Sequence, residues 1–145
     1  MDWKTCKNKQ FAKSINLDRP LIESLQKTSA NKLKTQELLV MNDHTAASKV
    51  SLTYDALREL LEALAITKGY KIYNHECYTA FLKEILQEST LGDTFDIYRK
   101  LRNNLNYYGK EITLEEAEKS IKDMKELLTT LQTKYFAQKP EEKNK

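Results

Sequence analysis

Apolar residues recur along most of this chain at alternating spacings of three and four, the mark of helices that bury one face. The pattern is cleanest near the C-terminus. There Leu114, Ala117, Ile121, Met124, Leu128, Leu131 and Tyr135 follow Thr113 and Glu116, a pair at capping-box spacing. Before it, Phe95, Tyr98, Leu101, Leu105 and Tyr108 form a stripe that predicts a helix from Asp93 to a left-handed cap at Gly109. Tyr78, Phe81, Leu82 and Ile85 predict a helix capped by Asn74 and ending near "STLGD". Ala47, Val50, Tyr54, Leu57, Leu61 and Leu64 predict one that follows "NDHT" and stops at Gly69. Asp18 as cap, with Pro20 in the first turn, opens a helix running to about Met41 whose apolar stripe is weak. The segment "DWKTCKNKQFAKSI" reads as a first short helix, with Trp3, Lys7 and Phe11 on one face and Trp3 as a docking anchor.

These elements make the chain all-α, an up-and-down helical bundle of five to six helices packed at shallow angles. Only three Gly and two Pro among 145 residues agree with long helices and few turns. That length suits one domain, residues 1–138, with N-terminal helices over 1–44 and a core over 45–138; the tail 139–145 reads as disordered. The heptads of the last helix also fit an intermolecular coiled coil, but a helix of that length beside four others packs in its own bundle.

Charge changes the picture little. A net charge of +3 is too mild to imply a nucleic-acid partner unless it is locally concentrated. No apolar run approaches the length of a membrane span or a signal peptide, so no membrane partner is expected. Cys6 and Cys77 are isolated, which suggests neither a disulfide framework nor a zinc site and fits a reducing, cytoplasmic setting. The histidines lack paired ligand spacing, and neither a metal nor a cofactor is implied.

The chemistry concentrates in "RKLRNNLNYYGKE", residues 99–111. On a helical wheel Leu101, Leu105 and Tyr108 lie together, while Arg99, Arg102, Asn103 and Asn106 fill an adjoining polar sector. Arginine presents a fixed fork of donors that matches phosphate, and asparagine offers both donor and acceptor, so this face suits a phosphodiester or a nucleotide. The plainer reading pairs Arg102 with Glu76 or Glu84 of the preceding helix.

The order of a long amphipathic helix, "KGYKIYNHECYTAFLKEIL", "FDIYRKLRNNLNYYGKEIT" and a closing amphipathic helix resembles the HEPN superfamily over residues 45–137. That resemblance implies a small, commonly dimeric helical bundle whose R-N-x-x-x-H motif forms a metal-independent ribonuclease site. Arg102 and Asn103 match the first two motif positions, and Tyr107 stands where the family has its histidine. Cleavage through a 2′-hydroxyl calls for a group that exchanges protons near neutrality; histidine, with a pKa of about 6.5, does so and tyrosine, at about 10, does not. The residues therefore point to RNA or nucleotide binding through Arg99, Arg102, Asn103, Asn106 and Tyr107, with catalysis lost or rerouted. Positions 102 and 107 lie about 140° apart on a regular helix, so a shared site calls for an irregular helix end or for the second subunit of a homodimer.

His75, beside Glu76 at the start of the fourth helix, is a candidate to replace the missing base, against the plainer role of packing or local hydrogen bonding at a helix start; His44 has no identifiable partner. The alternatives are a ribonuclease toxin using His75 or Tyr107, and an adaptor bundle. HEPN proteins often accompany a minimal nucleotidyltransferase in toxin-antitoxin pairs, where a tyrosine near the motif receives nucleotide groups. Tyr107 and Tyr108 lie near the motif here, though not at that motif's spacing. Cys77 reads as a small buried hydrophobe, and Lys4, Lys7, Lys9 and Lys13 as a solvated face.

Overall fold

The structure, a computed structural model, describes residues 1–136, so the expected tail at 139–145 lies outside the described residues. It contains six α-helices: α1 (Trp3–Asn8), α2 (Arg19–Leu38), α3 (Ala46–Thr67), α4 (Glu76–Ala80), α5 (Ser89–Tyr107) and α6 (Leu114–Leu131). Two short strands, β1 (Ala12–Ser14) and β2 (Tyr70–Ile72), accompany them, and the fold is an all-α helical bundle.

Helix α3 is the axis of the bundle. It packs against α2, α5, α6 and β2. Tyr54, Leu57, Leu60, Leu61 and Leu64 are fully buried with Phe81, Phe95, Met124 and Leu128 from the surrounding helices. Its small residues Ala56, Ala63 and Ala65 are buried too, which lets neighbours approach on several sides. A helix covered so widely carries more than one apolar stripe, which is why its buried set exceeds the expected 3-4 series.

The weak stripe of α2 has a structural explanation: its contact with α3 combines apolar packing of Ile22 on Ala63 and Ile66 with buried polar contacts. Ile22, Ser29 and Gln36, seven apart, are its buried residues. Ser29 Oγ donates to the Ala56 carbonyl at 2.6 Å, Thr28 Oγ1 donates to Glu59 at 2.6 Å, and Lys32 pairs with the same carboxylate. At the C-terminal end of α2, the buried Lys49 ammonium donates to the Gln36 and Leu39 carbonyls. A cation there also answers the negative end of the helix dipole.

Local stop and start signals act as expected. Asp18 accepts the Leu21 N–H, and Thr113 and Glu116 form the reciprocal capping box of α6. Gly69 and Gly109 take φ of +89° and +62°, the left-handed conformations that end α3 and α5.

Three expectations are corrected. The first helix ends at Asn8, because Gln10 turns the chain left-handed at φ +61°, and residues 12–14 then pair antiparallel with 70–72, Ala12 opposite Ile72. The boundary after the fourth helix also moves. α4 relaxes into a π-helical turn over Phe81–Ile85, Gln87 (φ +57°) breaks the chain, and α5 starts at Ser89, earlier than Asp93. Gly92 thus lies inside α5, where a Cβ would stand 2.6 Å from Lys83 Cγ. The cysteines, finally, are joined: Cys6 and Cys77, both fully buried, form a disulfide that ties α1 to α4. Sequence separation hid this bond, and it removes the ground on which a reducing compartment was expected. Cys77 is buried as expected, but as half of a cross-link. Trp3 does anchor α1, its ring edge-on to Tyr70 at 5.0 Å and tilted on Phe81 at 6.0 Å.

No helix among the described residues is long and apolar enough to cross a membrane.

Candidate functional site

The polar residues of α5 meet a matching set from α3 and the start of α4. Tyr54, Asp55 and Arg58 project from consecutive turns of α3, His75 stands immediately before α4, and Arg99 and Arg102 come from α5. Tyr54 stacks on Phe95 at 5.7 Å, which fixes the ring and points its hydroxyl at His75 Nδ1, 3.1 Å away. Burial raises the Tyr54 hydroxyl well above its ordinary pKa, so it stays protonated, and the tautomer of His75 decides which of the two donates.

Arg102 does not pair with Glu76 or Glu84. Glu76 binds the N-terminal amine at 3.0 Å, and Glu84 accepts the Trp3 N–H at 2.7 Å. The partner of Arg102 is Asp55, at 3.4 Å, from the axial helix α3. Its guanidinium carbon sits 5.3 Å from the centre of the Tyr54 ring and 5.9 Å from that of Tyr107. The length of the arginine side chain thus spans the 140° between positions 102 and 107 on a regular helix, and neither an irregular end nor a second subunit is needed to bring them together. Arg102 Nε is buried without a hydrogen-bond partner among the described residues.

Arg99 binds Asp96 through Nε at 3.0 Å and Nη2 at 2.8 Å, and Asp96 also accepts from Thr79 of α4 at 3.0 Å. Arg99 forms one wall of a cleft of about 600 Å³ that it shares with Lys83, Lys100, Glu76 and Asp96. Arg58 pairs with Glu62 at 2.9 Å. Every arginine of the cluster therefore has a carboxylate, yet the balance at the imidazole stays positive. Burial, and then Arg58, Arg102 and Arg99, lower the His75 pKa to about 4, against a smaller opposing effect of Glu62. His75 is neutral at pH 7, an acceptor held among cations.

The other expected residues lie toward the outer end of α5. Asn106 is exposed and accepts from Ser51 Oγ of α3 at 3.0 Å. Asn103 is half-buried and forms no side-chain hydrogen bond among the described residues. Tyr107 and Tyr108 are 70 % and 73 % exposed, and Gly109 beyond them turns the chain so that the Asn104 carbonyl accepts both the Tyr108 and Lys110 N–H groups. His44 lies away from the cluster, its N–H bound to Asn42 in the turn before α3.

Sequence reasoning missed the contribution of α3. "YDALRELLE" carries Tyr54, Arg58 and Glu62 at i, i+4 spacing, a polar row masked by the apolar stripe of the same helix. No group of three or more His, Cys, Asp or Glu among the described residues is arranged to hold a metal ion. No family model matches the chain, and neither curated proteins nor solved structures furnish a match.

Proposed function

We propose that this chain is a HEPN-like protein that binds RNA or a nucleotide phosphate at the junction of α3, α4 and α5, acting as a homodimer and without efficient catalysis. The observation that carries the reading is Arg102, whose guanidinium lies between the rings of Tyr54 and Tyr107 with Nε buried and unpartnered among the described residues, beside the Tyr54 hydroxyl that contacts His75. A phosphate entering there replaces Asp55 on Arg102 and satisfies its unpartnered Nε with a charge-assisted bond. Tyr107, exposed beside that guanidinium, offers a base a stacking surface.

The surroundings of His75 argue against turnover. Ribonuclease chemistry needs one group to take the 2′-hydroxyl proton and a protonated group to supply the leaving 5′-oxygen. A histidine with a pKa of about 4 serves the first role only, and Tyr107 is a poor substitute at neutral pH.

The test is a titration of labelled single-stranded RNA against wild type, Arg102→Ala and Arg102→Lys at two salt concentrations, with light scattering on the same samples. Binding by a dimer that weakens with salt, about tenfold weaker in Arg102→Ala and only partly restored by lysine, supports the reading. Equal binding by all three proteins, or none at low salt, defeats it.

A second reading has its own observation. Tyr107 and Tyr108 present their rings to solvent beside the motif, as a target for nucleotide transfer by a minimal nucleotidyltransferase partner would. Mass spectrometry of the chain co-expressed with such an enzyme decides it: a nucleotide adduct on Tyr107 or Tyr108 supports this reading, and unmodified tyrosines reject it.

A further inference from the structure

A groove of about 810 Å³ opens where the C-terminal end of α2, the first turn of α3 and the middle of α6 meet, and it shares no residue with the His75 cluster. Met41 and Ile121 supply its apolar surface, Lys49, Lys122 and Lys125 its cations, and Thr129 part of its rim. Its wall includes Gln36, which is 2 % exposed and whose Oε1 receives no hydrogen bond among the described residues. Burying an amide oxygen unanswered opposes folding, and nothing in the packing of α2 requires it. A leucine at this position would extend the apolar contact of α2 with α3 without that penalty. The oxygen is a buried acceptor with no donor among the described residues.

We propose that this groove binds an uncharged, mainly apolar small molecule that carries one N–H or O–H donor, with that donor hydrogen-bonded to Gln36 Oε1. The volume falls in the range of small-molecule sites. The charge of the ligand follows from the lining. The Lys49 ammonium, which caps the Gln36 and Leu39 carbonyls, stands at the Gln36 end and repels a cationic head. On the α6 side Glu118 and Glu126 alternate with Lys122 and Lys125, so no surface of one sign is there to select a charged head. A flat heteroaromatic or a hydroxylated hydrocarbon meets both conditions, its apolar body against Met41 and Ile121. The amide reaches the donor by turning about its terminal torsion, which is soft in glutamine. This inference is independent of RNA binding, because none of the groove residues belongs to the arginine cluster.

Indole and benzofuran make the decisive pair of probes, since they match in shape and differ in that only indole carries the N–H. Each is titrated into the full chain while the methyl resonances of Met41 and Ile121 are followed. Indole should shift these methyls saturably and bind about five- to tenfold more tightly than benzofuran, as one satisfied buried acceptor implies. Gln36→Leu should bring the two compounds to equal affinity, and Thr129→Trp, which fills the rim, should weaken both. Circular dichroism confirms that each variant is folded. Equal affinities in the wild type, no saturable shift up to about 5 mM, or indole preference that survives Gln36→Leu would each overturn the proposal.

Discussion

His75 illustrates how one side chain reports on its surroundings. Its ring is part-buried and hydrogen-bonded to Tyr54, and burial first, then the charges of Arg58, Arg102 and Arg99, disfavour protonation, so the pKa falls to about 4 from an unfolded value of about 6.5. Between those values the unfolded chain binds the proton and the folded chain does not. Stability that is fully present above pH 6.5 is therefore lost as the pH falls toward 4. Screening at a part-exposed ring reduces the full effect of the shift to on the order of 2 kcal/mol. Urea denaturation of wild type and His75→Gln between pH 7 and pH 4 measures it: the wild type should lose that much more stability than the variant over the interval. Parallel curves would mean that the imidazole is solvated and the local field near neutral. The same measurement bears on function only through the smaller arginine share of the effect, because burial, its largest cause, disfavours an anion as well as an imidazolium.

At the scale of the element, the junction between α4 and α5 is where packing overrules local sequence. Gly92 read as the end of one helix and lies inside the next, because the Lys83 side chain crosses it on the way to Asp93. Gly92→Ala should destabilise the fold by about 1 kcal/mol despite the better helix propensity of alanine, since Lys83 Cγ is too near its backbone to move aside. In a Lys83→Ala background the same change should stabilise by about 1 kcal/mol, the propensity difference alone. Thermal unfolding of the four proteins closes the cycle, and a stabilising effect in both backgrounds would refute the steric account.

What could be read in advance follows the same division between local and distant causes. Capping at Asp18 and Thr113 and termination at Gly69 and Gly109 are short-range events, written in neighbouring residues and borne out. Gln10 and Gln87 break the chain in left-handed conformations that their side chains do not advertise, and three-residue strands are too short to show a period. The site divides likewise. Arg99, Arg102 and Asn106 were legible as one face of α5, but Ser51, Tyr54 and Asp55 become partners of Asn106 and Arg102 only through the way α3 packs against α5, which no stretch of sequence encodes. The buried polar contact between α2 and α3 hid in the same way, as a weak stripe whose hydrogen bonds join residues about 30 positions apart.

For the whole molecule the decisive distant contact is the Cys6–Cys77 bond. It closes a loop with a sequence separation of 71 residues that contains both strands, α2 and α3, and it fastens α1 two residues beyond His75. Cross-linking so long a loop restricts the unfolded chain, and the chain-entropy estimate for it is about 4 kcal/mol, with measured bonds often contributing less. The helices around α3 keep their buried contacts without it, so the reduced protein should remain folded, with the loss showing in stability rather than in helix content. Urea unfolding with and without a thiol reductant, and of Cys6→Ala/Cys77→Ala, should show midpoints lowered by the equivalent of about 2–4 kcal/mol. Far-UV circular dichroism in water should be nearly unchanged. An unfolded reduced protein would mean that α1 and the small sheet nucleate the bundle; identical midpoints would mean that the thiols are not joined in solution. If the expected result holds, RNA affinity compared between oxidised and reduced protein separates two roles of the bond. Equal affinity makes it a staple of the fold, and a loss on reduction makes α1 a brace that holds His75 and the α4 start against Arg99 and Arg102.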